Sequence, residues 1–86
     1  MAEINIETLS DIRPEDMNSF LGLWVTCLYS PLAGPGVAVV QQAVMGRMLA
    51  WQILPGTMLI AFDGNIHIKV APTGEFKLFA INNEDF

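Results

Sequence analysis

The spacing of apolar positions changes character along this chain, and each change predicts a different element. Ile4, Ile6 and Leu9 stand among polar residues in a β-prone run, so residues 3–9 read as a short strand. Ser10 and Asp11 then offer capping oxygens. Pro14 suits the first turn of a helix, where its missing N–H costs nothing, and Glu15 and Asp16 put negative charge at the positive end of the helix dipole. Met17, Phe20, Leu21, Trp24 and Leu28 follow at steps of three and four, which predicts a helix over 14–29. Leu23, Val25 and Cys27 make its opposite side apolar too, so this helix is expected to be covered on more than one face.

Ser30 to Gly36, SPLAGPG, holds two prolines and two glycines in seven residues and predicts a loop. Val37, Val40, Val44, Met48 and Trp51 return to helical spacing and predict a second helix over 37–53, ended by Pro55-Gly56. Beyond it the period falls to two. Thr57 to Phe62 reads as an apolar strand, Asp63-Gly64 as a two-residue hairpin turn, and Ile66, Ile68 and Val70 alternate with His67 and Lys69. Pro72-Thr73-Gly74 turns the chain again, and Phe76, Leu78 and Ala80 alternate with Lys77 and Phe79 in a last strand. The expected fold class is α+β: a short N-terminal strand, two apolar helices, then a C-terminal antiparallel three-stranded meander, all in a single domain over 1–86.

Composition adds a constraint. The chain has 86 residues, 52% of them hydrophobic and only 15% charged, where about 25% is usual. A chain this short buries only roughly 60–65% of the surface its unfolded form exposes, so apolar area is left over for another chain, another copy or a membrane to cover. From Met17 to Phe62 the one charged side chain is Arg47. A membrane helix is disfavoured because SPLAGPG divides the stretch into pieces shorter than the roughly 20 residues a span needs. An open sheet also follows directly, and its edges do not tolerate lipid. The formal net charge is −5, and Arg13, Arg47, Lys69 and Lys77 are scattered, so no basic stripe serves a nucleic-acid backbone. The opening residues lack a secretory pattern, which makes the cytoplasm, or a virus particle assembled there, the expected location.

Candidate chemistry is sparse. Cys27 is the only cysteine and sits in an apolar run, which fits a buried thiol. His67 is the only histidine and falls on the polar side of its strand, with no further ligands for a metal converging on it. Glu15 and Asp16 are explained by the helix start and Asp63 by its turn, and neither Ser30 nor Thr26 has a histidine within reach. The glycines form no phosphate loop. No catalytic, cofactor or metal residues are assigned. Met45, Met48, Met58 and Trp51 suit either a core or an adaptable binding surface. Glu84-Asp85-Phe86 looks like the acidic, aromatic-ended tips with which single-stranded-DNA-binding proteins recruit partners.

Ile4 to Trp24, INIETLSDIRPEDMNSFLGLW, resembles the first strand and helix of the GCN5-related acetyltransferase fold. Leu23-Trp24, Ser30-Pro31-Leu32 and the run TMLIAFDGN are similar to the early part of the toxin-activating lysine acyltransferases. That resemblance implies an acyltransferase-like scaffold using acyl-CoA or an acyl carrier. It also implies no acyl transfer, because Ala33 stands where that family places its histidine and Gln42 to Arg47 lacks the cofactor-loop pattern.

The function expected from the residues is that of a non-enzymatic interaction or assembly protein, an accessory subunit of a larger complex, binding a protein partner or further copies of itself. The expected interface is the apolar helical face around Phe20, Trp24, Met48 and Trp51, with Phe86 beyond it. The alternatives are a degenerate acyltransferase-like protein and a small acidic inhibitor of a basic protein site.

Overall fold

The computed structural model describes residues 3–81. Its regular structure is almost entirely extended. Strands β1 (Ile4–Thr8), β2 (Trp24–Tyr29), β3 (Gln42–Leu54), β4 (Thr57–Phe62), β5 (Ile66–Val70) and β6 (Thr73–Ala80) form one six-stranded sheet in the order β1-β6-β2-β3-β4-β5. Every pairing is antiparallel. The helical content is a 3-10 turn at Leu9–Asp11 and a five-residue helix, α1 (Pro14–Asn18).

The two long helices, and with them the α+β class, are therefore corrected. Of the segment 14–29, only Pro14–Asn18 is helical: Pro14 occupies the first turn with Glu15 and Asp16 beside it, and Arg13 stands at the N-cap with no side-chain cap, so Ser10 and Asp11 do not serve as caps. The backbone N–H beside Glu15, with the Arg13 side chain, holds its carboxyl below the usual range. After a turn the chain becomes β2, in which Val25, Cys27 and Tyr29 are buried while Trp24, Thr26 and Leu28 face the other way. That alternation has a period of two, and its residues are β-branched and aromatic, as strands prefer.

The segment expected as a helix over 37–53 contains most of β3, and its helical spacing has a specific origin. Val44, Gly46 and Met48 share the inner face, opposite Cys27, Val25 and Phe62 respectively. A register shift between Met48 and Ala50 then inserts Leu49 as an extra residue, so the next inward side chain is Trp51, opposite Ile60. Inward positions at 44, 48 and 51 thereby mimic the steps of an amphipathic helix. Bulges also bend and twist the strand that carries them, and β3 uses its first half to pair with β2 and its second to pair with β4.

The C-terminal meander is corrected as well. β3, β4 and β5 are sequential neighbours, but β6 leaves β5 and inserts between β1 and β2. The β4–β5 turn is the three-residue Asp63–Asn65, not a two-residue one: Phe62 pairs with Ile66, and both Gly64 and Asn65 have positive φ. The Asp63 carboxylate accepts the Gly64 N–H at 3.0 Å.

The sheet curls until its far side meets the chain leaving β2. Pro31 bridges to Val70, the Leu32 N–H donates to the Lys69 carbonyl at 3.0 Å, and the Ala71 N–H donates to the Ser30 carbonyl at 2.8 Å. A partly closed barrel of β2, β3, β4 and β5 results, extended on one flank by β6 and β1. The crossing at Ser30 requires glycine on β6: a Cβ on Gly74, whose φ is 120°, would stand 2.5 Å from the Ser30 Oγ and 2.8 Å from its Cβ. Met17, on α1, and Phe20, in the turn after it, close the interior over Met48, Met58, Phe62 and Phe76, all within 1% of full burial. That turn is held by the Gly22 N–H donating to the Met48 carbonyl at 2.7 Å and the Met48 N–H donating to Leu23 at 3.0 Å.

Candidate functional site

The barrel buries one face of its strands, and the other face of β6, β2 and β3 shows what is left over. Directly opposed residues in an antiparallel pair point to the same side. One outer row therefore runs Phe79–Thr26–Met45 and a second pairs Trp24 with Arg47. Met45 is 64% exposed and Trp24 41%. The Arg47 guanidinium carbon lies 5.9 Å from the Trp24 ring centroid, within cation–π range. Leu49, the bulge residue, is also exposed.

Toward its N-terminal end β3 leads back into a second apolar surface, the connection from Ser30 to Gln41. We call residues 32–41 the arm. Leu32, Val37, Val39 and Val40 are all exposed on it, Val40 to 67%. The arm reverses at a Pro-Gly turn: the Val37 N–H donates to the Gly34 carbonyl at 3.2 Å, and Gly36 takes a φ of 77°. At its root the Gln41 amide donates to a Glu75 carboxylate oxygen at 2.6 Å. No charged residue lies on the arm.

The residues expected to form the interface separate into different places. Phe20 and Met48 are interior, at 1% and 0% exposure, because the helical face meant to present them is absent. Trp51 is half-buried against the core and its indole Nε1–H donates to the Asn18 Oδ1 at 2.9 Å, tying β3 to α1. Of the four that are described, Trp24 alone stands exposed on the outer face, and Phe86 lies outside the described residues. Of the methionines weighed between core and surface, Met48 and Met58 are core and Met45 is surface. Sequence reasoning assigned no surface role to Val39 or Leu49. The available signal was the run GVAVV directly after a Pro-Gly turn, apolar yet without a period that assigns it to a core.

The chemistry-bearing side chains are dispersed. Cys27 is buried in β2, and burial pushes its thiol up to about 12, so the nucleophilic thiolate is suppressed. Tyr29 is shifted upward by burial and by its proximity to Cys27. His67 is exposed on β5. Among the described residues no group of three or more His, Cys, Asp or Glu is placed to hold a metal ion. An open, mainly apolar cleft of about 320 Å³ lies between the β3–β4 turn and the end of β1, lined by Leu9, Ser10, Ile53, Thr57 and Pro72 among others. It holds no charged group. No helix of the described residues is long and apolar enough to cross a membrane.

Comparisons with protein families, with curated proteins and with solved structures find no match for this chain. The fold and its two exposed apolar surfaces are what remains to carry a functional reading.

Proposed function

We propose that this chain is a non-enzymatic interaction or assembly protein, a small subunit of a larger complex. The observation that supports it is the exposure of large apolar side chains on the arm and on the adjoining outer face: Val37, Val39, Val40, Met45, Leu49 and Trp24. Apolar patches beyond a few hundred Å² are uncommon on monomeric proteins and mark surfaces that bind. The residue types fit that use. Trp, Met and Arg are enriched at interface centres, and Trp24 with Arg47 forms an exposed aromatic–cation pair built from two of these residue types.

The test is affinity capture from the native source with the intact chain and with a Trp24→Ser/Met45→Ser variant, compared by quantitative mass spectrometry. Both positions face outward on strands, so the variant is expected to fold. The reading requires at least one protein, or further copies of the chain, to be retained by the intact chain and depleted severalfold with the variant. Identical capture profiles from two folded proteins would overturn it.

A further inference from the structure

We infer that the partner is a second copy of this chain, and that the arm of one copy pairs as an added strand with β1 of the next. This rests on the assembly reading above and names the partner of the arm alone, leaving the outer face at Trp24 and Met45 to that reading. Among the described residues β1 ends the sheet, hydrogen-bonded to β6 on one side only. An unpaired edge of this kind is a template for an incoming extended segment. The opposite edge of the sheet, β5, is less open: its own chain already occupies it through Pro31 and Leu32, and it carries Lys69, a residue type that blunts edges. β1, INIET, has neither Lys nor Pro.

The arm supplies the matching segment. From the Pro-Gly turn to the start of β3 run the five residues VAVVQ, the same number as in β1, and a five-residue strand spans about 17 Å. Their side chains are uncharged and rich in β-branched residues. Beyond the turn bond of Val37, no backbone N–H between Ala38 and Gln41 has a backbone partner among the described residues. Alternate side chains Val37 and Val39 suit the face on which β1 presents Ile4 and Ile6.

Charge selects the arm over a second β1. Two β1 strands paired in full about a two-fold axis at Asn5 would set Glu3 of each copy opposite Glu7 of the other, and like charges set opposite one another destabilise a sheet pair. An uncharged arm meets those carboxylates without repulsion. Arm-to-edge contact joins two different surfaces, so it is heterologous: a joined pair keeps one free edge on one copy and one free arm on the other, and the contacts propagate into a ring or a filament.

The decisive experiment is sedimentation equilibrium of three proteins and one mixture. The intact chain is expected to show a mass above that of one chain, rising with concentration. Ala38→Pro removes an arm N–H that has no backbone partner among the described residues, and Asn5→Lys/Glu7→Lys places gatekeeping charge on the exposed positions of β1. Each variant alone is expected to associate at least tenfold more weakly. An equimolar mixture of the two retains one good edge and one good arm, so it is expected to form dimers and stop there. An intact chain that is monomeric at every concentration overturns the proposal without recourse to any variant. A mixture that stays monomeric, or single variants that associate like the intact chain, overturn it as well. Partner capture through Trp24 and Met45 is unaffected by that failure, so the two readings fail separately.

Discussion

The interior of the barrel and the arm are made of the same kinds of residue and end in opposite environments. Val25, Met48, Met58 and Val70 are at 0–1% exposure, whereas Val37 and Val39 on the arm and Met45 beside it stand at 52–64%. Side-chain chemistry does not separate them. The difference lies in whether a strand's inner phase puts the side chain under a second layer of chain. The barrel has that layer because β3 bends at its bulge and the residues after β2 return to β5. The arm leaves the sheet at the closure point, and among the described residues no second layer covers it. A low-charge chain of this size fills one small core and then keeps a surplus, and this chain concentrates much of the surplus next to its closure.

The contrast can be broken most severely at Phe62, which lies in the core against Met48 and is 1% exposed. Phe62→Ala is expected to cost about 3–5 kcal/mol in urea unfolding, while Val40→Ala on the arm stays within about 0.5 kcal/mol. Equal costs would mean that the arm is packed after all. A second pair of substitutions sharpens the closure itself. Gly74→Ala forces a Cβ onto Ser30 at an unfavourable φ and is expected to cost about 1–3 kcal/mol, with partial recovery in Gly74→Ala/Ser30→Gly. Gly46→Ala meets only Phe62, its nearest atom at 3.6 Å, so it is expected to be the milder glycine substitution.

Alkaline pH probes the core from a different direction. The folded Cys27 thiol keeps its proton up to about 12, whereas an unfolded one releases it above 9.0. Above that pH the native state binds the extra proton, so stability is fully present below pH 9 and falls as pH rises toward 12. The loss is expected to reach on the order of 1 kcal/mol by about pH 10, with Tyr29 adding in the same sense at higher pH. Thermal unfolding against pH should show this fall in the intact chain and a shallower one in Cys27→Ala; parallel curves would place Cys27 in contact with water. The smallest effect is expected at Asn18. Asn18→Ala removes the acceptor for the Trp51 indole at the edge of the core, for about 0.5–1 kcal/mol and a change in tryptophan emission.

Where hydrophobicity alternated with polarity, the strands were legible in the sequence. Ile66, Ile68 and Val70 against His67 and Lys69 mark β5, and Pro55-Gly56 and Asp63-Gly64 flank β4 with residues that tolerate turns. β2 and β3 were not legible, because most of their outward positions, Trp24, Leu28, Met45 and Leu49 among them, are apolar, and Thr26 and Arg47 between them are too few to mark a polar face. Without a polar phase, a period of two disappears from the pattern. Chance spacings then took over: Met17 and Phe20 come from α1 and the turn after it, yet line up with Trp24 and Leu28, and one bulge gave β3 a helical rhythm. The same missing polarity that hid the strands is the apolar surface proposed for binding. Of the residues expected on helical faces, Trp24 stands exposed on the outer face, whereas Phe20 and Met48 lie in the interior. The long-range return of residues 30–32 to β5 carries no local signal at all.

Amide hydrogen exchange, resolved by residue on dilute protein, reads both regions in one measurement. Amides at Val25, Cys27, Ile60 and Phe62 are expected to be strongly protected, while those of residues 38–41 exchange close to the rate of an unstructured chain. Continuous protection from 37 to 53, or an arm as protected as β4, would contradict the account.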